Sequence, residues 1–144
     1  MAYLTNAEKI EEHTGFDAKA SLRVFGFVAS AKKEIIGWIG ADKYDELTSA
    51  ASPDAEEAAR SESFLSLYFG MPFLNLRPTQ LGGFSRQIGW DDRGEQLMSK
   101  SEMEQYRTTI YNMAKSLIED LITDNENEDH FIGNGFGFMA VKGN

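Results

Sequence analysis

The sequence has 144 residues, 42% of them hydrophobic, and its 14 basic and 23 acidic side chains give a formal net charge of −9. It contains no cysteine, which excludes disulfide bonds, thiol catalysis and thiolate metal sites. The longest basic run is the pair Lys32 and Lys33, so the clustered cations needed for tight binding to a phosphate backbone are missing. We therefore expect one domain with its own core and an acidic surface.

The sequence predicts neither a signal peptide nor a membrane-spanning segment. The N-terminal residues have no basic start and no apolar run. The longest hydrophobic zone, residues 24–39, is interrupted by Lys32, Lys33 and Glu34.

The first part of the chain predicts two helices and a turn. Thr5 and Glu8 have the spacing of a capping box, which opens a short polar helix that Gly15 closes. Asp17 caps a second helix of about twenty residues, in which apolar side chains recur at helical spacing up to Ile39. Such an apolar helix lies at the centre of its domain or shares a face with another subunit. Residues 40–47 predict a turn with at most one short helical turn.

The best-specified helix runs from Ser52 to Gly70. Ser52 is an N-cap residue, and Pro53 fits the first helical position, where its missing N–H is no loss. The first half of its apolar stripe consists of alanines, which allow a neighbouring helix to come close. Gly70 and Pro72 end the helix, and residues 73–77 continue in an extended form.

Beyond Pro78 the pattern changes before a last long helix begins. Alternating apolar residues at 84–90 predict a strand that pairs with residues 73–77 as a β-hairpin. Two overlapping capping boxes, at 99–102 and 101–104, then open a helix with an apolar stripe over residues 103–121. The acidic run 124–129 and the glycine-aromatic segment 131–141 predict no regular element.

These patterns predict a mainly α fold. It consists of a small bundle of about four helices, a β-hairpin-like excursion and an extended C-terminal arm. Residues 1–123 form the helical domain, including the insertion 73–98, and residues 124–144 form the arm.

Possible cofactor and metal motifs fail on their geometry. The glycines at 133, 135 and 137 have no preceding strand and no following helix to receive a phosphate. Residues 124–135 place acids at the first positions of a calcium loop but lack its glycine and its final glutamate. His13 and His130, the only two histidines, have no cysteine partner. We therefore expect no cofactor and no metal.

Catalytic patterns are equally incomplete. The serines at 61, 63 and 66 share a helix with Glu62, but no histidine lies near them in the sequence to act as a base. Asp91 and Asp92 are adjacent, so on a strand their side chains would point to opposite faces. We therefore expect no enzyme. A small acid-base enzyme using Asp91, Asp92 or Glu95 stays as a third alternative.

The C-terminal segment requires something to hold it. Ordering roughly twenty residues costs more conformational entropy than burying its few large apolar side chains returns. A strand added to the sheet edge of a neighbouring chain would supply the missing interactions. We therefore predict that this arm contacts a partner.

The order of elements carries a family resemblance. A short helix ends in His-Thr-Gly at 13–15, a long apolar helix follows, and an alanine-rich helix begins Ser-Pro-Asp at 52–54 and contains Phe-Leu-Ser-Leu-Tyr at 64–68. More specific are Met-Pro-Phe-Leu-Asn-Leu-Arg at 71–77, Gly-Gly-Phe at 82–84, Ile-Gly-Trp at 88–90 and Leu-Met-Ser at 97–99. Over residues 4–123 the chain resembles the small helical head-tail connector proteins of tailed bacteriophages, also called adaptor or head-completion proteins.

This resemblance implies a non-enzymatic virion subunit, made in the host cytoplasm. It implies a ring of copies, twelvefold in that family, that docks beneath the capsid portal protein and presents a surface to tail or stopper proteins. Packaged DNA passes through the channel without sequence-specific binding. Helices 24–39 and 103–121 would form the core and the subunit contacts, and segments 73–90 and 124–144 would reach neighbouring proteins.

The residues that we expect at subunit or partner interfaces are Phe25, Trp38, Leu74, Leu76, Phe84, Trp90, Phe131, Phe136, Phe138 and Met139. The alternative from a different class is a monomeric or dimeric helical module that captures a partner helix beside residues 52–70.

Overall fold

The described part of the chain is mainly helical, as predicted. A computed structural model describes residues 2–49, 51–74 and 100–134, with the side chains of all of these except residue 100 and residues 127–134. Seven helices lie within these ranges, without a strand: α1 (Ala7–Thr14), α2 (Ala18–Phe25), α3 (Val28–Ile39), α4 (Ala41–Ser49), α5 (Pro53–Gly70), α6 (Lys100–Leu117) and α7 (Glu119–Asn134). The expectation of about four helices was therefore wrong, and the predicted hairpin lies almost wholly outside the described residues.

Helix α5 is the centre of the fold. It packs against α1, α2, α3, α4 and α6, and an unbroken run of its residues, 61–67, is buried. A helix buried on all sides needs small side chains where neighbours approach, and the alanines and serines of α5 meet this need. The hydroxyl of Ser61 also donates a hydrogen bond to the carbonyl of Ala114 in α6, at 2.8 Å.

The core surrounding α5 draws on every part of the described chain. Its largest fully buried side chains are Tyr44, Tyr106, Phe16, Ile10, Ile35, Leu65, Leu67, Ile110 and Ile118. Tyr106, which belongs to the apolar stripe predicted over residues 103–121, lies there with no exposed surface. The core joins residues more than 100 positions apart, so the described segments form one packed body.

Several helix ends follow the predicted caps. The Ser52 hydroxyl accepts a hydrogen bond from the Ala55 N–H at 3.1 Å, and Asp17 caps α2 in the same way. Gly15 closes α1 with φ at +79°, a left-handed conformation that favours glycine. The cap of α1 is Asn6 rather than Thr5, because the Thr5 side chain is used in a tertiary contact.

Two predicted long helices are each divided. The helix expected over 17–39 breaks at Gly26 and Phe27, whose N–H groups bond to carbonyls only three residues back. The helix expected over 103–121 breaks at Ile118 in the same manner. Each break lets the following helix take its own direction, so the two halves of the apolar stripe face different neighbours.

Two segments that we expected to be irregular are helical. Residues 41–47 belong to α4, and the acidic run 124–129 belongs to α7. Acidic residues in the first turn of α7 favour its start, since they face the positive end of the helix dipole. The Asn125 side chain donates a hydrogen bond to the Trp38 carbonyl at 3.0 Å, which fixes α7 at the end of α3.

Candidate protein-binding surface

Four aromatic rings form a continuous strip across α3, α5 and α6. Trp38 meets Tyr111 edge to face, with ring centres 5.5 Å apart, and Tyr111 meets Tyr68 at 5.1 Å. Tyr68 in turn contacts Phe69 at 5.1 Å. All four side chains are only partly buried, so each ring has one side against the core and another side exposed. We call these four residues the aromatic strip.

Two cations lie over the strip. The Arg107 guanidinium is 4.2 Å from the centre of the Tyr68 ring, and Lys115 is 5.9 Å from that of Trp38. The Arg107 Nε also donates to the Tyr68 carbonyl at 3.0 Å. That carbonyl lies in the last turn of α5, so the arginine stabilises the negative end of the helix dipole.

A hydrogen bond fixes the middle ring of the strip. The Tyr111 hydroxyl donates to the Glu34 carboxylate at 2.5 Å, which connects α6 to α3. Partial burial, together with the neighbouring Glu34 carboxylate, raises the pKa of Tyr111 to about 12. The phenol is therefore a neutral donor at physiological pH, and its ring keeps one orientation.

The composition of the strip is typical of protein interfaces. Tyr, Trp and Arg are enriched among residues that dominate binding energies, because they offer large areas with few rotatable bonds and a polar end. Rings already fixed by neighbours lose little further entropy on binding. The strip is thus a preorganised, mixed apolar and polar surface suited to another protein.

A second aromatic contact lies where α5 ends. The Phe73 ring is 76% exposed and stacks on Phe27, with ring centres 5.8 Å apart. Phe27 and Leu74 both cover Gly70, at distances that leave no room for a side chain there. The segment after α5 therefore begins against the α2–α3 junction.

The structure separates the three predicted interface residues whose side chains it describes. Trp38 belongs to the aromatic strip, Phe25 contacts Tyr3 edge to face at 6.0 Å, and Leu74 lies beside Gly70. All three are partly buried. The other predicted residues lie outside the described side chains: Leu76, Phe84, Trp90, Phe131, Phe136, Phe138 and Met139. The alternative acid-base residues at 91, 92 and 95 lie outside them as well.

A buried polar cluster ties the N-terminal segment to α5. The Glu62 Oε1 accepts hydrogen bonds from the Leu4 and Thr5 N–H groups at 2.8 and 2.9 Å, and its Oε2 accepts one from the Tyr44 hydroxyl. Burial raises the pKa of Glu62, although these three hydrogen bonds act against the shift. The carboxyl group is thus an internal acceptor for backbone donors that precede α1.

Lys32 contacts the N-terminal segment on its outer side. Its ammonium group donates to the Ala2 carbonyl at 3.1 Å and lies 5.5 and 5.0 Å from the ring centres of Tyr3 and Tyr44. Residues 2–5 are therefore held by both backbone and side-chain contacts.

A histidine does lie beside the α5 serines, which corrects our expectation from the sequence. His13 Nδ1 is 2.8 Å from the Ser63 Oγ, which also lies 2.6 Å from the Thr5 Oγ1. Burial and, to a smaller extent, Arg60 lower the pKa of His13. The nearby acid, Glu62, bonds to Leu4, Thr5 and Tyr44, so the contacts join α1 to α5 without the acid-histidine-serine order of a triad.

No protein-family model, curated protein or solved structure matches this chain. Within the described residues, no group of three or more histidine, aspartate or glutamate side chains could hold a metal ion. The described helices include none long and apolar enough to cross a membrane.

Proposed function

We propose that this protein is a structural virion subunit of the head-tail connector type. Copies of the chain form a ring between the capsid portal and the tail, and DNA passes through the central channel. The observation that carries the proposal is the aromatic strip, a fixed and half-exposed surface with the composition of a protein interface. The resemblance of residues 4–123 to connector proteins supplies the identity of the partners.

Charge supports the passage of DNA. The formal net charge of −9 includes four carboxylates within residues 119–126 of α7. An acidic surface repels the phosphate backbone, so DNA moves past it without being held. A connector needs this property because it borders the path of the packaged genome.

The segments outside the described residues complete the proposal. The predicted insertion 73–98, with its β-hairpin-like excursion, and the predicted arm 124–144 extend into these segments. Both reach neighbouring proteins of the assembly. Their aromatic side chains, including Phe84, Trp90, Phe136 and Phe138, supply apolar contacts there.

The test is the mass of the full-length chain by light scattering and native mass spectrometry over a wide concentration range. We expect a ring, either from the chain alone or after addition of the portal protein from the same virus. A monomer or dimer under every condition, with no portal binding, would refute the connector proposal and favour a helical binding module.

Strip variants then test which surface binds. Trp38→Ala combined with Tyr111→Ala should abolish assembly or portal binding while the helical circular dichroism signal persists. Tyr3→Ala is the matched control, since it removes a partly buried ring that lies outside the strip and is not among the predicted interface residues. Binding that survives loss of both strip rings would show that the strip is not the interface.

A further inference from the structure

Leu22 is an exposed apolar side chain between two cations. It is 64% exposed, and its neighbours Lys19 and Arg23 on α2 are exposed too. Residues three and four apart lie on one face of a helix, so Leu22 and Arg23 share the face of Lys19. We call these three residues the basic knob. An apolar centre with a charged border has the layout of an interface anchor.

An acidic hollow lies at the far end of α3. It has a volume of about 350 Å³ between the end of α3, α4 and α7. Ile39 and Leu121 supply its apolar floor, and its rim carries the carboxylates of Asp42, Glu46 and Asp124. Lys43 bonds to Glu46 at 3.4 Å, so the rim has three carboxylates and one ammonium group.

The knob lies on α2, before the start of α3, whereas the hollow lies at the end of α3. Helix α2 leads through Gly26 and Phe27 into the start of α3, whereas Ile39 is the last residue of α3. Twelve helical residues span about 18 Å. Helix α2 packs on α1 and α5, whereas the hollow is lined by the end of α3, α4 and α7, so the knob is positioned to meet the hollow of another copy rather than that of its own chain.

We propose that the basic knob of one copy binds the acidic hollow of the next. Leu22 lies over the floor formed by Ile39 and Leu121, and Lys19 and Arg23 face the rim carboxylates. The two surfaces match in charge and each has an apolar centre. Two different surfaces in contact make a head-to-tail interface, which closes into a ring when the rotation between copies allows. This inference rests on the proposed function and names its subunit contact.

A disulfide tests the contact directly, because the chain has no cysteine of its own. We would prepare the full-length Leu22→Cys, Asp124→Cys double variant and oxidise it mildly. The expected product is a ladder of linked chains, extending to the ring, on a non-reducing gel. Each single variant serves as control and can link two chains at most. If the double variant gives no species above a dimer, the contact is wrong.

Charge reversal gives an independent test. Lys19→Glu with Arg23→Glu reverses the knob, and Asp42→Lys with Glu46→Lys reverses the hollow. Each double variant alone should stay unassembled, since like charges then meet. An equimolar mixture should assemble, because every junction then pairs opposite charges. Circular dichroism checks that both variants fold, and a mixture that stays unassembled would overturn the contact.

The outcomes separate this inference from the connector proposal. Wild-type rings without cross-linking or rescue would refute the knob contact and leave the connector function standing. In a further case, the double cysteine variant gives cross-linked open chains while the wild-type protein forms no ring and binds no portal. That result would support the contact and refute the connector function. Cross-links to a portal protein alone would show that the knob meets a different partner and would also overturn the contact.

Discussion

The Tyr44 hydroxyl donates a hydrogen bond to the Glu62 carboxylate, and neither side chain has any exposed surface. The contact joins α4 to α5 at the point where the N-terminal segment is bound. A buried carboxyl group is costly unless it is neutral or fully hydrogen-bonded, and here it has three donors. The stability of the fold should therefore depend on the ionisation of this one group.

The pH dependence of unfolding tests the Glu62 ionisation. Its pKa is raised above the usual 4.5, so the unfolded chain loses this proton first as the pH rises. The associated stability is fully present below pH 4.5 and is lost as the pH rises through the raised pKa. We expect Glu62→Gln to remove this loss, measured by urea unfolding as the pH is raised above 4.5. An unchanged loss in the variant would assign it to another group.

Replacing Glu62 by alanine should destabilise the protein much more than replacing it by the neutral glutamine. Glu62→Ala leaves the Leu4 and Thr5 N–H groups and the Tyr44 hydroxyl without this partner. Each buried unsatisfied group costs about 1–3 kcal/mol. We expect Glu62→Ala to lower the free energy of unfolding by roughly 3 kcal/mol or more, with Glu62→Gln as the matched comparison. Equal free energies of unfolding for Glu62→Ala and Glu62→Gln would contradict the role of the Glu62 side chain as a hydrogen-bond acceptor.

His13 should give a pH dependence of the opposite sign. Its pKa is lowered below 6.5, so the unfolded chain takes up this proton first as the pH falls. The stability is present above pH 6.5 and is lost as the pH falls from there through the lowered pKa. We expect His13→Asn, which keeps a polar atom near the Ser63 hydroxyl, to flatten the acid side of the stability profile. If the stability of the variant still falls steeply below pH 6.5, the pH dependence belongs to a titratable group other than His13.

Arg107 should stabilise the end of α5 through its planar guanidinium group. Arg107→Ala removes the hydrogen bond to the Tyr68 carbonyl and the stacking on the Tyr68 ring, at a cost of roughly 2 kcal/mol. Arg107→Lys keeps the charge but not the plane, so we expect it to restore less than half of the loss. Glu104→Gln is the control, since the ion pair that Glu104 makes with Arg107 is 3.6 Å long and 61% exposed at the acid. Thermal unfolding measures all three variants.

Two glycines in helices should respond to alanine with opposite signs. At Gly37 nothing lies within 4 Å of an added Cβ, so Gly37→Ala should stabilise the protein by about 0.5–1 kcal/mol. At Gly70 the added Cβ would lie 2.8 Å from Phe27 and 3.1 Å from Leu74. Overpacking costs about 1–3 kcal/mol, so Gly70→Ala should destabilise it. Denaturant midpoints compare the two, and a stabilising Gly70→Ala would show that Phe27 and Leu74 move freely.

Local signals were readable from the sequence, and tertiary contacts were not. Ser52 and Gly15 act within one helical turn, so their residue types suffice to predict the ends of α5 and α1. The break at Gly26 leaves the apolar period intact, so the period could not reveal it. The Ser63–His13 contact joins positions 50 residues apart, and only the packing of α1 on α5 creates it.

The predicted interface residues show the same division. Trp38 follows the helical period of α3, and its place in an aromatic strip depends on Tyr111 and Tyr68 from two other helices. The sequence could therefore single out Trp38 but not the rings that it contacts. Arg107 was missed altogether, because an isolated arginine in a polar stretch carries no signal until the ring it covers is known.

The Glu62 acceptor has a consequence for synthesis on the ribosome. The backbone donors at Leu4 and Thr5 leave the ribosome before their acceptor, which follows 58 and 57 residues later. Ser61 in turn waits for the Ala114 carbonyl, 53 residues further on. A chain that stops before Ala114 cannot complete the core, so folding waits for the synthesis of α6.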